Sequence, residues 1–237
     1  MILQAEYVLG LGDTHSIRKA HKRVRKAPED SIIIQVGDFG VGFDPKRDYR
    51  DLGYLVGHLK RHDKALIVLR GNHDNPDCFH PDHRYNKIDQ RLMLVPDYTQ
   101  AIINGMSCMF IGGAISIDRS DRVPYKDWWA GEELQEDLSR AKPSEVLFTH
   151  TAPLGVFPYV LKENVEFWAG EENKRKYAPP GSLKRELTSE RKAMQRIVEA
   201  VQPKRHYYGN FHQHNMEEVN GVFCRCLGIG ELVQLPI

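Results

Sequence analysis

The stretch KALIVLRGNHD, residues 64–74, decides how this chain is read. Ala65 to Leu69 is an unbroken apolar run, short, partly β-branched and closed by Gly71. Such a run reads as a strand covered on both faces. It leads directly into Asn72, His73 and Asp74, side chains that can ligate metals or move protons. The same construction recurs upstream in YVLGLGDTH (7–15) and SIIIQVGD (31–38), and downstream in EVLFTH (145–150) and HYYGNFH (206–212). Between the first three runs lie SIRKAHKRVRKAP (16–28), a basic surface helix, and DYRDLGYLVGHLKRH (48–62), amphipathic at helical spacing. The repeated order of strand, loop, helix and strand predicts parallel pairing with right-handed crossovers. Open α/β sheets place their sites beyond the carboxyl ends of the strands, where all five polar motifs fall.

Elsewhere the pattern changes. LMLVP (92–96), YTQAIIN (98–104) and MSCMFIGG (106–113) read as short strands, with Asn104-Gly105 as a hairpin turn. A polar stretch (118–133) carries two tryptophans, and a helix is expected to end near Ala141. Residues 153–185 read as irregular, broken by Pro179-Pro180-Gly181, and as a cap or lid because of their aromatics. ELTSERKAMQRIVEAVQP (186–203) reads as a helix stopped by Pro203, residues 217–226 as a hairpin around Asn220-Gly221, and ELVQLPI as a last strand. With no repeat, linker or low-complexity tract, the expectation is a single domain over 1–237 with a cap at about 153–185.

Composition narrows the function classes. The 237 residues include 33 basic and 32 acidic side chains, a net charge of +1, so nothing draws nucleic acid or an anionic membrane globally. A small or locally recognised substrate is the default, and nucleic acid is not indicated by net charge. No apolar run is long enough to cross a bilayer and no signal peptide is visible at the N-terminus. Cys78, Cys108, Cys224 and Cys226 do not make a disulfide framework, and Cys224 and Cys226 read as two buried thiols on one strand face. A reducing, cytoplasmic compartment is expected. The oligomeric state is not legible.

Taken singly, the polar motifs have ordinary explanations. Asp13-Thr14-His15 is a turn or helix cap, Gly37-Asp38 is a turn, and His150 is a hydrogen-bonded structural residue. Five such loops in order, each at a strand end and each with metal-compatible side chains, are not explained that way. The series D-x-H, G-D, G-N-H-D, H and G-x-x-H resembles the calcineurin-like metallophosphoesterase superfamily, over Asp13 to His212. GGAISIDRSDRVPYKDWW (112–129) further resembles a bacterial and phage-type branch with a GGA-x-S-x-D…WW stretch. GDFGVG and GNHD depart from the G-D-x-V-D-R-G and G-N-H-E of the protein serine/threonine phosphatases.

The resemblance implies a four-layer α/β/β/α sandwich, a binuclear centre and hydrolysis of phosphomonoesters or phosphodiesters, nucleotide-like ones included. Asp13, His15 and His212 would bind one divalent ion, Asn72 and His150 the other, and Asp38 would bridge them. His73 would protonate or stabilise the leaving oxygen, with Asp74 orienting it. Mixed carboxylate, imidazole and amide donors suit Mn²⁺ first, with Fe or Zn²⁺ as alternatives. A water between two such ions loses a proton near neutral pH and can attack phosphorus.

The closing motif departs from the family's Gly-His-x-His, for Asn210 stands at the first His. Asn210 is a weaker ligand in a loosened second site, or His214 replaces it, or the chain is a variant of reduced activity. A retained but weakened second site is the favoured reading. Arg119 is a candidate phosphate contact, and His80, His83, Arg84 and Tyr85 are candidate rim residues. Phe157, Tyr159, Phe167, Trp168 and Tyr177 give the proposed lid an aromatic surface. Two other readings stand beside the hydrolase: a nuclease using the basic run Arg18–Lys26, and a scaffold that kept the fold and lost its metals.

Overall fold

A computed structural model describes residues 1–159, 163–173 and 182–237. The described strands are β1 (Ile2–Leu3), β2 (Tyr7–Leu11), β3 (Ser31–Gln35), β4 (Lys64–Val68), β5 (Leu92–Leu94), β6 (Thr99–Ile103), β7 (Met106–Ile111), β8 (Val146–Thr149), β9 (Arg205–Tyr208), β10 (Asn215–Val219), β11 (Val222–Cys226) and β12 (Leu232–Gln234). The α-helices are α1 (Ile17–Val24), α2 (Pro45–Arg61), α3 (Glu163–Asn173) and α4 (Ser182–Val201). One sheet runs β12-β2-β3-β4-β5, and the other runs β1-β6-β7-β8-β9-β11-β10. β2 through β5 are parallel, as are β7, β8 and β9.

Alternation along β3 explains the layering. Ile32 and Ile34 face the second sheet, where they pack with Phe110, Val146, Phe148 and Tyr207. Ile33 faces the other way, onto Leu52, Leu55 and Leu59 of α2 and onto Ala20 and Val24 of α1. A strand buried on both faces must be apolar throughout, and β3 is buried at every position. On the far side, Met109, Ile111 and Leu147 meet Met194, Ile197 and Val201 of α4. Helices, sheet, sheet and helix therefore stack in four layers, as the resemblance implied.

Local chemistry sets several boundaries. α2 starts at Pro45 because the Asp44 carboxylate accepts the N–H groups of Lys46 and Arg47 at 3.1 Å each. Asn104 and Gly105 turn the β6–β7 hairpin, both with positive φ. Three expectations need correction. No helix ends near Ala141: Tyr98 Oη donates to Gln135 O and accepts Asp137 N–H, while Glu190 accepts Leu134 N–H, so side chains from elsewhere take these backbone groups. Residues 153–185 are not irregular throughout, since α3 lies within them and α4 begins at Ser182 rather than 186. Pro179-Pro180-Gly181 and Tyr177 lie outside the described residues. Ile2 and Leu3 form a short strand that pairs with β6, which no periodicity announced. All four cysteines are buried, with no disulfide among the described residues, and no described helix is long and apolar enough to cross a membrane.

Candidate metal centre

β2, β3 and β4 end together in one sheet, and β8 and β9 end together in the other. The loops that follow carry Asp13, Asp38, Asn72, His150 and His212, so five strand ends deliver five polar side chains to one place. Three glycines make the convergence possible. A Cβ on Gly37 would stand 2.3 Å from His150 Nδ1, one on Gly71 2.1 Å from Asp38 Oδ1, and one on Gly209 2.3 Å from Asp13 Oδ1. Each glycine thus clears space for a polar group from a different loop. His15, Asp38, Asn210 and His212 all have positive φ, between 50° and 68°. Four non-glycine residues in that region within one site are backbone strain held by the surrounding contacts. Asp38 O is one such contact, accepting Thr14 N–H at 3.1 Å and His15 N–H at 2.7 Å.

Two groups of donor atoms share Asp38. In the first, one atom each of Asp13, His15, Asp38 and His212 lie within 4.8 Å of one another. His15 Nε2 is 2.8 Å from His212 Nε2, His212 Nε2 is 3.4 Å from Asp13 Oδ2, and His15 Nδ1 is 3.5 Å from Asp38 Oδ2. In the second, His150 Nε2 is 3.3 Å from Asp38 Oδ1 and 3.1 Å from Asn72 Oδ1. One carboxylate oxygen of Asp38 therefore faces each group. His150 Nδ1 donates to Val36 O at 2.7 Å, which turns Nε2 toward the site. Asn72 Nδ2 donates to Ser116 Oγ at 3.0 Å, which turns the amide oxygen inward. Ser116 N–H in turn donates to buried Glu132 at 2.9 Å.

The electrostatics are those of a site that holds positive charge. Asp13, Asp38 and His150 are fully buried or nearly so. Burial pushes the Asp13 carboxyl up to about 8, against the pull of His150. Burial would raise Asp38 too, but the His150 charge beside it holds that carboxyl far below the usual range. Burial pulls His150 down, yet Asp38 holds it up at about 9. Asp13 Oδ1 is buried without a hydrogen-bond partner. A buried carboxylate with one oxygen orphaned and the other 3.4 Å from His212 Nε2 fits a divalent cation as the missing partner.

Several predicted residues sit elsewhere. Asp74 does not orient the His73 ring. Its two oxygens accept four backbone N–H groups, from Phe39, Gly40, Val41 and Gly71, at 2.7–3.1 Å. It ties together the two loops that carry Asp38 and Asn72. The group at the His73 ring is Arg122, whose Nη2 is 2.5 Å from His73 Nε2 and 2.7 Å from Asp118 Oδ1. Burial lowers His73 to about 4, with Asp38 opposing and Arg122 assisting. Arg119 is not a phosphate contact: Glu172 of α3 and Glu186 of α4 each hold its guanidinium at 2.6 Å. His80, His83, Arg84 and Tyr85 do not line the cavity at the site. Asn210 does, whereas His214 is paired with Glu231 at 3.1 Å. Ser116, Glu132 and Arg122 escaped the sequence reading. The run GGAISIDRSDR held two of them, but only as a resemblance, and Glu132 had no local signal.

A model of the calcineurin-like phosphoesterases matches residues 7–185, three quarters of the chain. The chain belongs to the calcineurin-like phosphoesterase family. It is therefore a phosphoester hydrolase of a metal-dependent family. The matched region contains the motifs from Asp13 to His150, and the Asn210–His212 motif lies beyond it. None of the curated proteins matches the chain by sequence. Among solved structures it is similar to phosphopantetheinyl hydrolase from Mycobacterium tuberculosis, at 13% identity and a TM-score of 0.48, over 98% of this chain and 97% of that one.

A cavity of about 410 Å³ opens beside the candidate centre. Asp38, Asn72, His73, Asn210 and His212 form one part of its wall, and α3 and α4 contribute to the rest.

Proposed function

We propose that this phosphoesterase hydrolyses phosphate esters of small organic molecules at a centre of two divalent cations, with Asp38 between them. Asp13, His15 and His212 would hold one ion, and Asn72, His150 and Asn210 the other. The observation that carries this reading is the division of Asp38, with one oxygen toward His15 and the other toward His150. When bound, such a pair of ions acidifies water and offsets charge on phosphoryl oxygens. Mn²⁺ is the first choice, since carboxylate, imidazole and amide donors are mixed.

The chain's own residues do the rest. Val36 O and Ser116 Oγ fix the His150 ring and the Asn72 amide, so two ligands are preorganised before any ion arrives. His73 N–H donates to Asp38 Oδ1 at 2.8 Å, which ties this residue to the bridging carboxylate. An arginine always donates, so its contact makes Nε2 of His73 the acceptor and puts the ring proton on Nδ1. That N–H is the hydrogen-bond donor His73 would offer to stabilise charge on a leaving oxygen. Asn210, a neutral donor, leaves the second site weaker than the first.

The assay is turnover of p-nitrophenyl phosphate, bis-p-nitrophenyl phosphate and 2′,3′-cyclic nucleotides with Mn²⁺, Fe²⁺ or Zn²⁺. Monoester turnover selects a phosphatase and diester-only turnover a phosphodiesterase. No turnover of any of them with any of these ions refutes the reading.

A further inference from the structure

The wall of the cavity away from the metal-ligand candidates mixes apolar side chains with polar ones whose charges are already engaged: Asp118 pairs with Arg122, Glu190 accepts Leu134 N–H, and the Arg191 guanidinium donates to the carbonyls of Ala152, Pro153, Val156 and Pro158. Ile115 and Ile117 come from the loop after β7, Val165 and Trp168 from α3, Leu187 from α4, and Phe211 from the Asn210–His212 motif. All but Val165 are only half-buried, so they keep apolar surface open beside a charged site. Uncovered apolar surface gathered at a polar site marks a place where a ligand is received. Size points the same way. Water takes roughly 30 Å³ in the liquid, and inorganic phosphate has about the bulk of two or three waters, so phosphate alone would leave most of the space unfilled.

We infer that this phosphoesterase is selective for phosphate esters whose organic group is bulky, uncharged and apolar, lodged against Trp168, Ile117 and Leu187. The inference rests on the hydrolytic reading for where the phosphate sits, and adds what the rest of the substrate must be. Trp168 is the residue that decides it. Its indole packs edge-to-face on Phe167, with ring centroids 5.1 Å apart, and supplies a large rigid surface at small entropic cost. α3 itself is anchored, since Glu172 pairs with Arg119 and accepts Ser182 Oγ–H at 3.0 Å. Arg119, which resembled a phosphate ligand in the sequence, thus holds in place the helix that carries Trp168.

The test compares 2-phenylethyl phosphate with ethyl phosphate, whose alkoxide leaving groups have like basicity, so that the difference reports the cavity. Alongside turnover with Mn²⁺, calorimetry measures the affinities of 2-phenylethylphosphonate and ethylphosphonate. The larger ester should be preferred by about 10- to 100-fold in kcat/KM, mostly through KM, with a like ratio between the phosphonates. Trp168→Ala should reduce both ratios to within about threefold, and Ile117→Ser carries the same test if that variant does not fold. Equal affinity for the two phosphonates overturns the inference even where both esters are hydrolysed. A preserved phosphonate ratio without hydrolysis of either ester supports the inference and refutes the hydrolytic reading.

Discussion

Replacing Asp13 with Asn should stabilise the metal-free protein. Asp13 Oδ1 is buried without a partner, while Oδ2 accepts Asn210 N–H at 2.9 Å. Burial lifts the carboxyl from 3.8 to about 8. At pH 7 the unfolded chain carries the anion and the metal-free fold carries the acid. The difference is about three pH units at roughly 1.4 kcal/mol each, on the order of 4 kcal/mol against folding. A raised carboxyl makes the fold bind more protons than the unfolded chain, so stability declines as pH climbs from about 4 to about 8. His150 works in the same direction. Its pKa rises from 6.5 to about 9, so its contribution is complete below 6.5 and lost as pH passes 9. An Asn at position 13 keeps an acceptor for Asn210 N–H, but its amide brings two N–H donors where the acid brings one, near His150 Nδ1 at 4.0 Å. We therefore expect about half the full effect, near 2 kcal/mol, or a Tm rise of about 4–8 °C for a chain of this length. Thermal melts in EDTA at pH 6, 7 and 8.5 measure it, and the gain should grow with pH. With Mn²⁺ at a hundred times its Kd the wild-type protein should gain about 2.7 kcal/mol, and the variant far less. An Asn variant that melts at or below wild type in EDTA at pH 8.5 would refute the reasoning.

Four further outcomes follow from the same geometry. His73→Ala should retain its metals by elemental analysis and lose about 10²- to 10⁴-fold in kcat; an unchanged kcat removes His73 from the chemistry. Ser116→Ala frees the Asn72 amide to rotate and should weaken the second metal by about 10- to 100-fold, with the first unaffected in a Mn²⁺ titration. Gly37→Ala places a methyl 2.3 Å from His150 Nδ1 at a backbone φ of 97°; it should cost more than about 2 kcal/mol of stability in denaturant melts and lose the second metal. Asn210→His should raise the metal content from below two to two ions per chain after dialysis; a wild-type chain that already keeps two refutes the weakened-site reading.

Much of the site was legible because its residues sit in short segments whose context is local. An apolar run ending in Gly and then Asp, Asn or His needs no distant partner to be recognised. Five such segments in order pointed to the fold and to Asp13, His15, Asp38, Asn72, His150 and His212 together. The errors came where distant groups capture a local one. Asp74 adjoins His73 in sequence, but four N–H groups of two loops claim its carboxylate. Arg119 follows a strand-like run, yet two glutamates from helices more than fifty residues away hold it. The helix expected near Ala141 lost its backbone groups to Tyr98 and Glu190.

By itself, then, the sequence determined the parallel pairing of the first three long strands, the candidate site's position at strand ends and the kinds of candidate ligand, because unbroken apolar runs and loop chemistry are short-range. The tertiary structure alone decided that β8 and β9 of the second sheet meet β2, β3 and β4 at one point, that Arg122 rather than Asp74 touches the His73 ring, and that half-buried apolar residues from α3 and α4 line a cavity beside the centre. Those facts depend on which distant surfaces pack together, and no local spacing encodes that.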